Sequence, residues 1–252
     1  MTAPTQRFSN KVKDYIKYRP SYPDEAIDFL AHEAKLSANS VIADVGSGTG
    51  IFTQLLLAKG YTVYAVEPNQ PMREAADKQL KNDTNFHSVN GTAEESTLPD
   101  YSIDLVVCAQ AFHWFDQLQT KAEFKRILKP KGLVALIWNN RQIDADEFAV
   151  SYELLLQQQG SDYKEVNHRN ITDVDFNNFF KDGKYQLVKF NNVQVFDMDG
   201  LAGRAFSSSY IPAKHTEAGA VFLQSLQELF YLYQVNGTVN FQYQTEIYLG
   251  RV

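Results

Sequence analysis

The chain has 252 residues, of which 44% are hydrophobic and 21% charged, and its formal net charge is −6 at pH 7. These values are ordinary for a globular protein. The acidic balance argues against nucleic acid, whose partners generally present a basic face, and no apolar run approaches the roughly 18 residues of a membrane span. We therefore expect neither a nucleic-acid nor a membrane partner.

Cysteine and histidine usage indicates the compartment and the absence of a metal centre. Cys108 is the single cysteine, so the chain forms no internal disulfide. The five histidines lack the spacing of metal ligands, and the residues after Met1 lack an apolar signal core. We therefore expect a cytoplasmic protein without a metal.

A glycine-rich turn after a buried-strand pattern is the most informative segment, and residues 41–50 read VIADVGSGTG. Glycine allows a sharp turn and close approach of a ligand to the backbone. The spacing is G-x-G-x-G, whereas dinucleotide sites use G-x-G-x-x-G, and Ile51 replaces their third glycine. Asp44 would repel a pyrophosphate but attract an ammonium or sulfonium group. The segment therefore predicts a nucleotide-like cofactor other than NAD.

Strands and helices alternate from this loop to about residue 138, which predicts a parallel sheet with helices on both faces. Helices are expected at about 51–59, from about Pro71, and at about 121–128. Further strands are expected at 62–66, 103–109 and 133–138. The second strand ends in Glu67, where an acid can accept hydrogen bonds from both ribose hydroxyls.

The pattern changes after Arg141. A helix is expected near 146–158, followed by a polar stretch over 167–178 and two β-rich segments at 185–196 and 238–252. One amphipathic helix is expected between the β-rich segments. In the last one, alternate residues from Val239 to Leu249 share an apolar face.

Five features in order resemble the class I S-adenosylmethionine-dependent methyltransferases, and in particular the trans-aconitate methyltransferase-like or type 11 members. They are the glycine loop, the acid at 67, the segment NGTAEE at 90–95, the strand at 103–109 and the turn ILKPKGL at 127–133. The resemblance covers about residues 38–140. It implies an enzyme with a Rossmann-like, doubly wound α/β sheet of seven mostly parallel strands, the last antiparallel, plus a small helical substrate-side cover.

The resemblance also implies a single domain over 1–252. Its parts are N-terminal cofactor-covering helices (1–37), a cofactor-binding core (38–142), the substrate-side cover with the sixth strand (143–213), and a C-terminal helix with the last strand (214–252). We expect a monomer or homodimer.

The implied cofactor is S-adenosylmethionine. Family members often carry an acid where this chain has Thr92, so we expect the adenine contact from the backbone around Ala93. The expected cofactor-binding residues are Tyr18, Arg19, Asp44, Gly46, Ser47, Gly48, Thr49, Gly50, Glu67, Pro68, Met72, Thr92, Ala93, Glu94 and Gln110.

The N-terminal segment 15–23, YIKYRPSYP, admits two interpretations. It is similar to a family segment that folds over the methionine end of the cofactor. Arg19 would then pair with the cofactor carboxylate, because a guanidinium matches that group bidentately, and Tyr15 or Tyr18 would close the lid. Alternatively, the segment is a proline-stopped helix that packs its tyrosines on the sheet.

The acceptor side is less defined. The run QAFHWFD at 110–116 follows the fourth strand at the ligand-binding edge. His113 is a candidate general base or, alternatively, a structural hydrogen-bonding group beside a tryptophan. We expect His113, Trp114, Asn139, Arg204 and Tyr210 to contact the acceptor. If the polar cluster at 204–210 is functional rather than a capped surface helix, a small carboxylate is the natural acceptor.

Alternative functions remain open at this stage. The acceptor is expected to be a small molecule, and the reaction carboxyl O-methylation, but N- or C-methylation of another metabolite fits the same motifs, because a fold does not determine its chemistry. A cofactor-binding protein without turnover is a further possibility. A nicotinamide-dependent oxidoreductase is disfavoured by the glycine spacing and by Asp44.

Overall fold

The computed structural model describes residues 16–163 and 171–252. Tyr15 and the first residues of the polar stretch expected at 167–178 lie outside these ranges. Within them, seven strands form one sheet in the order β3-β2-β1-β4-β5-β7-β6. The strands are β1 (Val41–Val45), β2 (Thr62–Val66), β3 (Phe86–Val89), β4 (Ile103–Ala109), β5 (Leu128–Arg141), β6 (Tyr185–Phe196) and β7 (Val239–Gly250).

The helices that flank the sheet also follow in chain order. They are α1 (Asp24–Glu33), α2 (Ile51–Ala58), α3 (Gln70–Leu80), α4 (Gln117–Ile127), α5 (Glu147–Gln159), α6 (Asp173–Phe179), α7 (Met198–Phe206) and α8 (Glu217–Tyr233). None of the described helices is long and apolar enough to cross a membrane.

The direction of the strands confirms the predicted fold class. Strand β7 runs antiparallel to both of its neighbours, β5 and β6, whereas β1 to β5 pair in parallel. The alternation expected from Val239 to Leu249 is also confirmed, since each second residue of β7 is buried.

Buried side chains form a core on each face of the sheet. One contains Phe124 of α4 and Phe179 of α6, and the other contains Leu30 of α1 and Leu56 of α2. A third cluster joins α5, α7 and α8 to the first half of β7. The third cluster forms a helical cover beside the carboxyl edge of the sheet.

Three expected elements need correction. Helix α4 begins at Gln117 rather than at about 121, because Asp116 caps it by accepting hydrogen bonds from the backbone N–H groups of Leu118 and Gln119. Strand β5 extends well beyond 133–138 at both ends. Two helices, α7 and α8, lie between β6 and β7 where one was expected. The glycines of α7 weaken its helical signal, and Asp197 caps it.

The segment 16–22, here called the N-terminal strap, crosses the carboxyl edge of β5 and β6. Side-chain amides of Asn139 and Asn192 donate to Ser21 O at 3.1 and 2.8 Å, and Gln194 donates to Tyr18 O at 3.2 Å. The Tyr18 ring packs directly on Gly203 of α7, where a Cβ atom would overlap the ring. The strap therefore joins the sheet to the helical cover.

This contact gives a prediction for Gly203→Ala. Alanine favours an isolated helix over glycine by about 1 kcal/mol, yet here we expect destabilisation, because the new methyl group displaces the Tyr18 ring. In a Tyr18→Ala background the same change should be neutral or stabilising. Urea unfolding of both single variants and the double variant measures this coupling; additive effects would contradict the contact.

Candidate active site

A cavity of about 350 Å³ opens at the carboxyl ends of β1, β2, β4 and β5. Open α/β sheets bind ligands at this edge, where the strand order reverses. The strap and the cover line its other sides. Its wall includes all but two of the predicted site residues, namely Arg19, Asp44, Gly46, Ser47, Gly48, Thr49, Glu67, Pro68, Met72, Thr92, Ala93, Glu94, Gln110, His113, Trp114, Asn139, Arg204 and Tyr210.

Tyr18 and Gly50 are the two predicted residues that do not line this cavity. Tyr18 turns toward Gly203 instead. Gly50 is the N-cap residue before α2, with a φ of 84°, and a Cβ atom there would lie 2.8 Å from Leu80 Cδ1. Its role in the structure is therefore the close packing of α2 on α3.

The glycine loop is shaped by left-handed backbone and close packing. Gly46 has a φ of 72°, and a Cβ atom there would lie 2.5 Å from Ala111 Cβ and 3.1 Å from Phe115 Cζ. Gly48, with a φ of 56°, meets only Met72 Sδ at 3.8 Å. Gly46 thus holds the loop against the turn after β4, while Gly48 leaves the cavity floor free of side-chain bulk.

Asp44 lies at the end of β1 with no solvent exposure. Its Oδ2 accepts a hydrogen bond from Thr53 Oγ1 at 2.6 Å, whereas its Oδ1 has no partner among the described residues. Burial raises the pKa of Asp44 to about 7, against the opposing hydrogen bond from Thr53. A buried carboxylate oxygen at a cavity wall is suited to a cationic ligand group.

Glu67 lies at the end of β2 and is 7% exposed. Its Oε2 accepts from Gly48 N and its Oε1 from Asn69 N, both at 2.8 Å. Burial raises the pKa of Glu67, although these two hydrogen bonds oppose the shift. Each oxygen keeps lone pairs for further donors, so the fixed carboxylate can accept additional hydrogen bonds from the cavity side.

The cavity beside Glu67 has an apolar wall. Met72 and Ala93 are buried there, and Asn69 fixes the start of α3 by accepting from Met72 N at 3.1 Å. The Thr92 hydroxyl accepts from Glu95 N at 3.1 Å, so it stabilises a turn. This wall suits the flat face of an aromatic base.

The turn after β4 brings two further polar groups to the cavity. Gln110, which has a φ of 59°, donates to Asn139 O at 3.4 Å. Trp138 Nε1 donates to His113 Nδ1 at 3.5 Å, at the long end of hydrogen bonding. A neutral histidine that accepts at Nδ1 carries its proton on Nε2. This contact therefore favours the form of His113 in which Nε2 can donate a hydrogen bond.

The far end of the cavity contains two arginines and several tyrosines. Arg141 forms an ion pair with Glu153 at 2.6 Å. Arg204 is 9% exposed; its Nε donates to Tyr243 OH at 3.3 Å and its Nη1 to Ser208 Oγ at 3.1 Å. Arg141, Tyr163 and Tyr243, which were not among the expected site residues, also line this end. The register of β5 with β7 places Arg141 opposite Tyr243, a pairing without a local sequence signal.

Comparison with known proteins finds similarity to methyltransferases. Residues 43–136 match the family model described as a methyltransferase domain. An uncharacterized methyltransferase of Mycobacterium tuberculosis is 41% identical over 134 residues, which are 53% of this chain and 52% of that protein. An uncharacterized methyltransferase-like protein of Schizosaccharomyces pombe is 36% identical over 135 residues, 53% of this chain and 52% of its own. The chain thus spans about half the length of the curated relatives it matches.

Solved structures extend the likeness to nearly the whole chain. A protein of Anaeromyxobacter dehalogenans assigned as a type II methyltransferase aligns with a TM-score of 0.69 at 20% identity, covering 93% of this chain and 98% of its own. A protein of Anabaena variabilis assigned as a methyltransferase from an antibiotic biosynthesis pathway aligns with a TM-score of 0.64 at 20% identity, covering 92% and 98%. These likenesses establish the fold.

Residues 43–136 match a methyltransferase domain, and the described sheet has the strand order and directions of the class I methyltransferase fold. Both the resemblance and the fold class expected from the sequence are confirmed. The methyltransferase domain that residues 43–136 match implies S-adenosylmethionine as cofactor. The unpartnered Asp44 Oδ1, the fixed Glu67 carboxylate and the open floor at Gly48 fit that molecule.

The raised pKa of Asp44 gives a prediction for pH dependence. Asp44 titrates near 7 when folded but near 3.9 when unfolded, so between these values the folded state binds more protons. The free energy of unfolding should therefore fall as pH rises from about 4 to about 7, by roughly 4 kcal/mol from this group. The Asp44→Asn variant should lack this decrease. Denaturant unfolding at pH 5 and pH 8 tests it, and equal pH slopes for both proteins would refute it.

Proposed function

We propose that the protein transfers a methyl group from S-adenosylmethionine to a small-molecule acceptor that carries a carboxylate. The observation that supports this most strongly is the pairing of the buried Asp44 with the fixed Glu67 on either side of the glycine loop. A donor with a cationic methionine end and a ribose matches these two acids.

The donor is expected to lie along the cavity floor. Asp44 Oδ1 would accept from its amino group, and Glu67 from its ribose hydroxyls. Arg19, whose Nη2 donates to Ser207 O at 3.0 Å, lies on the strap where the donor carboxylate would end. Met72 and the backbone at Ala93 would enclose the adenine. Tyr18 would act indirectly, by packing the strap on α7.

Methyl transfer by in-line attack depends more on the positioning of the two reactants than on acid–base groups. When bound, S-adenosylmethionine would supply an electrophilic methyl group for in-line attack. Holding the two reactants in line can account for roughly 7–11 kcal/mol of barrier reduction. The strap, Trp114 and the cover would exclude water from the reacting atoms. A carboxylate acceptor is already ionised at neutral pH, so it needs no base.

Arg204 supports an anionic acceptor. An arginine stays protonated at any physiological pH, and this one is buried at the cavity wall between neutral hydroxyls. Tyr210 and Asn139 line the same cavity.

Carboxyl O-methylation is the reaction that follows most directly from a bound carboxylate. N- or C-methylation of a metabolite that carries a carboxylate elsewhere is the second candidate, because Arg204 would bind either acceptor. A protein that binds the cofactor without turnover would retain Asp44 and Glu67 but convert no acceptor. We place the reaction in the cytoplasm, in keeping with a single buried cysteine.

Replacing Glu67 by glutamine tests the donor site. Glu67→Gln keeps the size of the side chain but removes one acceptor and the charge, and a charge-assisted hydrogen bond is worth roughly 1.5–3 kcal/mol. We expect S-adenosylhomocysteine to bind at least about tenfold more weakly, as measured by calorimetric titration. Glu246→Gln, another largely buried carboxylate that does not line the cavity, is the control. Unchanged affinity in Glu67→Gln would refute the assignment.

Replacing His113 by glutamine tests its role. Glutamine retains a donor near the position of Nε2 but does not titrate as a base. If His113 only donates, His113→Gln should retain methyl transfer within about tenfold, with a pH profile like that of the natural protein. Transfer from labelled S-adenosylmethionine to a carboxylic acid found in an acceptor screen is the measurement. A loss of 10²-fold or more, in the range of general-base catalysis, with cofactor binding intact would instead assign the base.

A further inference from the structure

The acceptor end of the cavity has two arginines that surround one tyrosine. Arg141 lies opposite Tyr243 in the register of β5 with β7. Arg204 reaches the same tyrosine from α7, with its Nε 3.3 Å from Tyr243 OH. The hydroxyl of Tyr243 in turn donates to Gln194 Oε1 at 3.0 Å. Both cations are therefore held in place around a fixed side chain.

The two arginines differ in charge compensation. Arg141 Nη2 lies 2.6 Å from Glu153 Oε2, and its guanidinium stacks over the rings of Tyr152 and Phe241 at 4.8 and 5.6 Å. Burial raises the pKa of Glu153, but hydrogen bonds from Gln157 and Tyr163 and the charge of Arg141 outweigh it, so the net shift is downward. Glu153 is thus ionised and neutralises Arg141.

Arg204 has no such compensation. Within residues 16–163 and 171–252, no carboxylate forms an ion pair with it; its partners are the hydroxyls of Tyr243 and Ser208. A buried charge is costly unless it is paired. Among the described residues, the acceptor end therefore has one net positive charge, located on Arg204.

We propose that this end of the cavity selects acceptors with a single anionic group, which binds Arg204, and that Glu153 determines this selectivity by neutralising Arg141. The inference deepens the proposed function and rests on it. Glu153 does not line the cavity; it acts through Arg141. An acceptor with a second anionic group would meet an arginine whose charge Glu153 already compensates, and would lose hydration for a weaker electrostatic attraction.

The rest of this end favours an apolar body on the acceptor. Tyr163 and Tyr210 meet edge to face with ring centroids 4.8 Å apart, and Ile143 and Trp114 complete the wall. These side chains supply apolar surface and hydroxyl groups but no further positive charge. The acceptor class is thus a compact monocarboxylic acid with an apolar or aromatic body.

The test uses the full chain saturated with S-adenosylhomocysteine, titrated with pairs of acids that share a skeleton but carry one or two carboxylates. The pairs are benzoate with isophthalate, and hexanoate with adipate. We expect the monocarboxylate to bind at least about tenfold more tightly in at least one pair. In Glu153→Gln, which frees the charge of Arg141, this preference should fall at least about tenfold or reverse.

Two matched variants separate charge from structural damage. Arg141→Met combined with Glu153→Gln removes the ion pair as a unit and should keep the natural preference. Glu246→Gln removes a carboxylate of similar exposure, 12% against 11% for Glu153, from an ion pair with Lys189, and should change nothing. If Glu153→Gln does not fold, the double variant and Arg204→Met test the proposal instead. Arg204→Met should abolish carboxylate binding while S-adenosylhomocysteine still binds.

The outcomes separate this inference from the proposed function. Failure of S-adenosylhomocysteine to bind would overturn the proposed function itself. If that ligand binds normally, three results would overturn the selectivity proposal alone. They are no monocarboxylate binding at millimolar concentration, a preference of the natural protein for dicarboxylates, and an unchanged preference in folded Glu153→Gln. An altered preference in the double variant would also overturn it.

Discussion

The structure holds a carboxylate with no solvent exposure, Asp44, at the end of strand β1. Burial of such a group is unfavourable unless a donor or a cation compensates it. Thr53 provides one donor from α2, and the other oxygen remains for the cavity. The neighbouring residues shape the glycine loop. Gly46 packs it against the turn after β4, Gly48 leaves the cavity floor free of side-chain bulk, and Glu67 fixes it by accepting a hydrogen bond from Gly48 N. Much of the proposed donor chemistry therefore depends on this one residue.

The helical cover and the strap connect the two ends of the cavity. Tyr18 packs on Gly203, the residue before Arg204. Arg19 donates a hydrogen bond to the backbone oxygen of Ser207, near the end of the same helix. Gln194 contacts Tyr18 O through its amide and Tyr243 through its carbonyl. The position of Arg204 is thus tied to the strap by packing and by hydrogen bonds.

Site residues were predicted best where they lie close together in the sequence. The glycine spacing, Asp44 and Glu67 lie in one strand–turn–helix unit and the strand that follows, so their convergence follows from parallel pairing alone. The whole apolar face of β7 also follows from its alternation. Helix α7 was missed because Gly200 and Gly203 weaken its intrinsic propensity; its cap at Asp197 and its packing on Tyr18 are tertiary effects. The start of α4 was predictable in principle, because Asp116 is a recognisable cap.

The acceptor end shows why the remainder could not be predicted. Arg141 and Tyr243 are about a hundred residues apart, and only the antiparallel register of β5 with β7 places them together. Glu153 reaches Arg141 from α5, and no motif marks that contact. Tyr18 was placed at the cofactor by resemblance, yet its ring faces Gly203, since side-chain direction depends on the tertiary position of the strap. The alternation of strands and helices was thus accessible from pattern, whereas charge compensation between distant elements was not.

The most direct test of the account is the number of protons released when S-adenosylmethionine binds. Calorimetric titration at pH 6 in buffers of different ionisation enthalpy measures it. Because Asp44 titrates near 7 in the folded protein and a bound cation favours its ionised form, we predict that binding releases close to one proton. Asp44→Asn should bind more weakly and release none, and NADH should not bind. Absence of S-adenosylmethionine binding, or equal proton release by both proteins, would contradict the account.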